Sequence, residues 1–436
     1  MTNQTSPEVN RVLAKVTRRI MPFLALLYFV NYLDRVNIGL AGPNGMNRDL
    51  GLSATAFGFA SGIFFLGYLT LEVPSNLALH RFGARRWLAR IMLTWGILAT
   101  ALAFAPNLTA LLIMRFLLGM AEAGFFPGII LYLTYWFPAA QRIKAVALFV
   151  VAVPLSTAIG SSVSGLLMTQ GDRVFGLAGW RFMLLIEGIP AILLAFATWF
   201  YLTDRPEQAR WLTDEERRWL TTHMDLERRA IEAQSHWPLR KALTHPRILA
   251  LSAVYFAIVY GLYALGFFLP TIIAGFGKEF GTTLSVTQAG LVTAIPYVVA
   301  AATMVVWARH GDRTGERTWH VALPMIVGGV AIPSALYLGN PYAAMVAVTV
   351  CAVGVFAALP AFWALPSTFL TGAASAGGIA LINSLGNVAG FAAPYITGIL
   401  RDLTGSQRSG LWAVGAAMIT GALVALRLVA ARPDLR

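Results

Sequence analysis

The sequence predicts an all-α polytopic membrane protein, with twelve transmembrane helices in two pseudo-symmetric six-helix bundles and both termini cytoplasmic. Three observations carry that prediction. Of 436 residues 57% are hydrophobic and only 12% are charged, where a soluble protein carries about a quarter; mean hydropathy is +0.67. The apolar residues come in repeated runs of about 20, enough to cross a ~30 Å hydrocarbon layer as helix. One long polar stretch, Thr203 to Pro246, divides these runs into two sets of six.

The spans fall near residues 20–42, 54–79, 87–105, 108–137, 142–169, 178–202, 247–273, 286–309, 319–338, 341–365, 372–400 and 409–430. The net charge of +13 would suit nucleic acid if it were clustered on a soluble surface. It is not. With the N-terminus in the cytoplasm, the cytoplasmic segments and the span ends next to them hold 25 of the 33 Lys and Arg, the outer segments and span ends six, and the span interiors two. That bias fixes the orientation. The first run spans by itself and carries Asp34 and Arg35, so it reads as a helix and not as a cleaved signal peptide. The single cysteine, Cys351, excludes an intrachain disulfide and makes redox chemistry improbable.

The segments are then a cytoplasmic N-terminus (1–19), a first bundle (20–202), a cytoplasmic linker (203–246), a second bundle (247–430) and a short tail (431–436). In the linker, TDRPEQARWLTDEERRWL is dense in Arg, Glu and Trp, and Thr213 followed by Glu216 has capping-box spacing. One amphipathic helix at the membrane surface is expected. The turn after the second span reads HRFGARRW (80–87), and the turn after the eighth reads DRTGERTW (312–319), an offset of 232 residues. An internal repeat of this kind is a transporter design, with the ligand site between the halves near the membrane centre. The glycine also serves a tight turn, and the arginines also serve helix-end carbonyls and lipid phosphates.

Ionisable groups inside a membrane are expensive and mark function by default. Six lie in or near the spans: Asp34, Arg35, Glu72, Arg115, Glu122 and Glu187, all in the first half. At a rise of about 1.5 Å per residue, Asp34, Arg35 and Arg115 share a level, with Glu122 about 10 Å deeper on the face of Arg115. Two cations with a carboxylate beside them and another below suit an anionic ligand, since guanidiniums bind carboxylate oxygens through paired charge-assisted bonds. A structural ion pair is the plain alternative for Arg115 and Glu122. Glu72, just before Pro74, reads as a structural or gating partner, and Glu187 as structural. The second half offers neutral groups: Tyr260, Tyr263, Trp363, Asn383 and Asn387. No phosphate loop, metal-ligand spacing or Ser-His-Asp arrangement is evident.

The two repeat turns resemble the loop signature of the major facilitator superfamily, Asp-Arg-x-Gly-Arg-Arg. Asp312, Arg313 and Gly315 match it in the second half; Arg81, Gly83 and Arg85 match in the first, where His80 stands in place of the aspartate. NYLDRVNIG, EVPSN, RFLLGMAEAGFFPG and GWRFMLLIEGIP resemble the anion:cation symporter branch, and the likeness runs along essentially the whole chain. Within that branch it is nearest to bacterial permeases for tartrate, galactonate, phthalate and hydroxyphenylacetate. The resemblance implies a substrate site at Tyr68, Trp363 and Asn383, joining Arg35 and Arg115, and gating by the repeat turns.

The expected function is proton-coupled uptake of a small organic carboxylate across a bacterial inner membrane, by a monomer with no cofactor beyond the coupling proton and no metal. Asp34 and Glu122 are the expected proton carriers, each switched by whether its neighbouring arginine is occupied. Hydroxyl, amide and indole groups favour a hydroxy or sugar acid, with an aromatic acid as runner-up. Anion exchange or export uses the same arginines. A ligand sensor or an intramembrane enzyme fits less well, for want of a signalling domain and of catalytic motifs.

Overall fold

The computed structural model describes residues 7–233, 245–281, 284–335, 337–366 and 372–430, and all regular structure among them is helical. Before the linker come α1 (Pro7–Ala41), α2 (Asn47–Asp49), α3 (Ala54–Phe82), α4 (Ala84–Ala101), α5 (Leu108–Glu122), α6 (Phe125–Trp136), α7 (Ala139–Val150), α8 (Ala152–Gln170) and α9 (Gly179–Tyr201). The linker holds α10 (Asp214–Ala233). After it come α11 (Pro246–Phe280), α12 (Val286–Thr314), α13 (Thr318–Ser334), α14 (Pro341–Ala364), α15 (Gly372–Thr404) and α16 (Gln407–Ala430). Among the described residues, nine helical segments are long and apolar enough to cross a membrane, while Thr318–Ser334 is apolar but shorter.

Local sequence explains where the helices start. Ser53 caps α3 by accepting from the Ala56 amide at 3.1 Å, and Asn107 caps α5 by accepting from Ala110 at 2.9 Å. The linker capping box is formed: the Glu216 amide donates to Thr213 Oγ1 at 3.2 Å, and the Thr213 amide donates to Glu216 Oε2 at 2.9 Å. Lys15 Nζ, 2.7 Å from Glu216, ties α10 to α1. That lysine and the cap hold the Glu216 carboxyl below the usual carboxylate range. We call the end of the bundle carrying these contacts the linker end, and the opposite end the far end.

Residues 7–19 are helical and continuous with the first span, with Val12, Leu13 and Val16 burying an apolar face. Two expectations need correction. The fourth span is two helices, α5 and α6, broken at Ala123–Gly124, and the fifth is divided into α7 and α8 at Val151. Gly124 has φ of +85°, and a Cβ there would lie 2.3 Å from Ser75 Oγ. Only glycine takes both the left-handed backbone and the close approach.

At the repeat turns Gly83 and Gly315 both have positive φ, +89° and +70°. The anion expected at residue 80 comes from elsewhere: Asp204 in the linker accepts from the Arg85 amide at 2.7 Å, placing a carboxylate on the N-terminus of α4. Arg81 lies over the Phe82 ring, and Arg313 is exposed. The Asp312 side chain lies outside the described residues.

Within the first half α4 packs on α9, α3 on α5, and α1 on α8 and α9; within the second, α13 packs on α14 and α16, α12 on α14, and α11 on α15 and α16. The halves meet through α3 with α15, α8 with α12, and α1 with α11. The centre of that meeting holds the buried charges.

Candidate substrate site

Arg35 lies on α1 where it faces both α5 and α11. Its Nη2 pairs with Glu122 Oε1, and its Nη1 donates to the Tyr263 hydroxyl at 3.0 Å. The guanidinium sits 5.4 Å from the Phe64 ring centre, 5.6 Å from Tyr68 and 6.0 Å from Phe65. All these side chains are buried. A cation held by one carboxylate, one phenol and three rings has its charge largely compensated by the protein itself.

Arg115, fully buried, lies 5.1 Å from the centre of the same Phe64 ring, so both guanidiniums meet one ring. Its Nε and Nη2 donate to the backbone carbonyls of Ala60 and Ser61 at 3.2 and 3.1 Å. Arg115 is thus anchored to α3, with Nη1 left over for another acceptor. Glu122, the last residue of α5 before the glycine break, pairs with Arg35 and not with Arg115.

Asp34 departs from expectation. Its Oδ2 accepts from Trp95 Nε1 on α4 at 2.8 Å, and among the described residues it makes no ion pair with an arginine. Successive residues on a helix point about 100° apart, so Asp34 and Arg35 meet different neighbours. Glu187 accepts from Ser164 Oγ at 2.5 Å and from Asn37 Nδ2 at 3.1 Å. Both donors line a cavity of about 20 Å³ between the halves, room for one water.

From the second half, Asn383 Nδ2 donates to Glu72 Oε1 at 3.0 Å, and Ser384 Oγ lies 3.4 Å from Glu72 Oε2. Trp363 meets Tyr255 edge-on at 4.8 Å, and Tyr255 stacks on Phe362 at 5.1 Å. Tyr68 is therefore in contact with the Arg35 cluster, Asn383 is bonded to Glu72, and Trp363 is bonded to neither. Tyr263, one of several neutral groups the second half offers in sequence, is the second-half side chain that bonds Arg35.

Several buried polar atoms here have no protein partner: both amide atoms of Asn31, one turn before Arg35, with Arg35 Nε, Arg115 Nη1, Asp34 Oδ1, Glu122 Oε2 and Ser61 Oγ. Buried polar atoms are nearly always bonded. This concentration of unmet donors and acceptors around two guanidiniums marks a place for a polar anion or water.

At the far end Asp402 on α15 accepts from the Ala54 and Thr55 amides at 3.2 and 2.7 Å, capping α3 of the other half. The bonds from Thr55 hold its carboxyl below the usual aspartate range. Thr169 and Thr287 bridge α8 to α12 there at 2.9 Å. The halves are joined at that end.

Comparison with known proteins agrees with this architecture. Residues 24–394 match the Major Facilitator Superfamily. The chain is 48% identical over 424 residues to an Agrobacterium vitis protein named "Putative tartrate transporter", covering 97% of this chain and 96% of that one. It is 38% identical over 421 residues to the inner membrane transport protein RhmT of Escherichia coli, covering 96% of each. The crystal structure of a bacterial homologue of the human lysosomal transporter Spinster, inward-facing and occupied, superposes with a TM-score of 0.75 at 16% identity over 99% of both chains. With its helical halves meeting around buried charges and a family match along most of its length, the chain belongs to the major facilitator superfamily: it is a multi-pass membrane transporter and not an enzyme.

Proposed function

We propose that this transporter is a proton-coupled symporter that takes up a small hydroxylated carboxylate of the tartrate kind by alternating access. The observation that carries the reading is the Arg35 cluster, where one buried cation is shared between a first-half carboxylate and a second-half phenol. The 48% identical relative named for tartrate supports the substrate class. The distribution of Lys and Arg supports twelve spans with both termini in the cytoplasm of a bacterial inner membrane.

In this reading the substrate carboxylate takes the guanidinium of Arg35 through paired charge-assisted bonds. Glu122, displaced, loses its counter-charge and binds a proton. Arg115 Nη1 and the Asn31 amide receive further oxygens of the acid, and Tyr68 and Trp363 bound it. Because the proton and the anion each remove an obstacle to the other, they bind with mutual help, as linkage requires. After release Glu122 re-pairs with Arg35 and the empty carrier returns. Asp34, bonded to Trp95 and free at Oδ1, is the second proton carrier. The protein works as a monomer and needs no metal.

Purified protein in liposomes tests the proposal. An inward proton gradient should drive tartrate accumulation. Glu122→Gln should abolish gradient-driven uptake yet retain exchange of tartrate for tartrate. Full accumulation in both Glu122→Gln and Asp34→Asn would refute the proton assignment. Uptake of phthalate without tartrate would move the substrate to the aromatic acids, which the Tyr255, Phe362 and Trp363 cluster favours.

A further inference from the structure

We propose that Glu72 holds the second half's substrate donors in the empty carrier, and that the acid replacing it carries a carboxylate at each end. The inference rests on the organic-acid reading above and adds a residue and a narrower substrate class to it.

Glu72 is 5% exposed, and its hydrogen-bond partners, Asn383 and Ser384, belong to the opposite half. Among the described residues it makes no ion pair. A neutral amide would serve as well for holding α3 to α15, and an ionisable group at this depth costs several kcal/mol. That cost is placed where the halves must separate. Glu122 does the corresponding thing on the first half's side, covering Arg35. Both donor sets are therefore closed by carboxylates of the protein itself.

The two are close neighbours. Arg35 lies 5.6 Å from the Tyr68 ring, and Glu72 follows Tyr68 by one helical turn, about 6 Å along α3. An acid with one carboxylate satisfies Arg35 and leaves Glu72 on Asn383, so the α3–α15 contact stays shut. A short acid with two ends reaches both.

The charges around Glu72 decide what happens to its proton. Arg35 faces it from α1, Tyr68 from its own helix and Tyr255 from α11. From α15 come neutral Asn383 and Ser384. On α5, Arg115 and Glu122 belong to the Arg35 cluster; on α4, Arg90 is turned onto the Trp87 ring at 4.1 Å; α6 contains no charged residue. A second anion arriving at Asn383 therefore meets Glu72 with no added cation to offset the repulsion. Glu72 takes a proton from water as the acid binds and returns it after release.

The test is calorimetry on the purified full chain with tartrate and with threonate, in which a hydroxymethyl group replaces one carboxylate. Two buffers of different ionisation enthalpy give Kd and the protons taken up per acid bound. Wild type should bind tartrate at least about tenfold more tightly than threonate, with more proton uptake. Glu72→Gln should lose about one proton of uptake and bind tartrate at least as tightly as wild type, because no charge then opposes the second carboxylate, while threonate affinity stays within about twofold. If Glu72→Gln does not fold, Asn383→Ala with Ser384→Ala should remove the preference for tartrate and the extra proton. A wild-type proton count in Glu72→Gln, or a wild-type preference in the Asn383 and Ser384 variant, overturns the role of Glu72. Equal binding of both acids by wild type overturns the two-ended substrate and leaves organic-acid transport standing. Binding of neither acid overturns both.

Discussion

Arg35 and Tyr263 join the two halves of the transporter at its centre, the guanidinium Nη1 donating to the phenol oxygen at 3.0 Å across 228 residues of sequence. The bond fixes the plane of the guanidinium that also meets Glu122, so the second half has a hand in orienting the first half's cation. Removing the hydroxyl should loosen that plane and leave the packing of the ring on Phe65 intact. Tyr263→Phe should weaken tartrate binding about fivefold, the worth of about 1 kcal/mol, with little change in thermal stability. Calorimetry beside a thermal melt checks both halves of that statement; an unchanged Kd would mean that the bond is incidental.

The buried pair itself is tested by taking it apart in two ways. Arg35→Ala leaves the buried Glu122 carboxylate without its cation, which costs about 3–5 kcal/mol. Adding Glu122→Gln removes the orphaned charge. The double variant should therefore melt above Arg35→Ala although it lacks more of the native interaction. Neither should transport. If the double variant is less stable than Arg35→Ala, Glu122 is satisfied by some other partner and does not depend on Arg35 for its burial.

Asp402 supplies a pH-dependent contact at the far end. Its carboxyl is held below the ordinary aspartate value by its bonds to Thr55. A group depressed in this way contributes above its unfolded value, ~3.9, and its contribution is lost as pH falls through the lower folded value. The contact is thus complete at neutral pH and opens only in strong acid. Asp402→Asn keeps an acceptor for the Ala54 and Thr55 amides but drops the charge on the α3 N-terminus. The group is exposed, so the effect is small: a shift of about threefold toward the far-end-open state. Spin-label distances between the far ends of α3 and α15 should report it, and acidification should move the wild type but not the variant.

The break at Gly124 makes a stability prediction. Its left-handed φ costs a side-chain-bearing residue about 1–2 kcal/mol, and a Cβ would also collide with Ser75 Oγ. Gly51, at φ of +63°, has open space around it. Gly124→Ala should lower the melting temperature clearly more than Gly51→Ala, and the excess reports the contact with Ser75. Equal losses would show that α3 yields to the new methyl group at no cost.

The all-helical, membrane-spanning character of the chain, the linker capping box of Thr213 and Glu216, and the confinement, among the described residues, of the buried carboxylates and guanidiniums to the first half were legible in the sequence. Each depends on hydropathy, helical period or neighbouring residue types, which act over a few turns of chain. The broken fourth span is hidden by hydropathy, which stays high across it, although Gly124 followed three residues on by Pro127 is a helix-stop signal; only packing shows that Gly124 passes close to Ser75. Nor was the partner of each charge legible. Residue spacing places Asp34 and Arg35 at one depth, but the rotation of α1 against α4, α5 and α11 gives Asp34 to Trp95 and Arg35 to Glu122 and Tyr263. The Glu72–Asn383 bond spans 311 residues, and no periodicity within either helix encodes it. A helix carries its own apolar and polar faces in its sequence; which face meets which is settled only when the helices pack, because that choice depends on shape and hydrogen bonding across the whole bundle and not along any one segment.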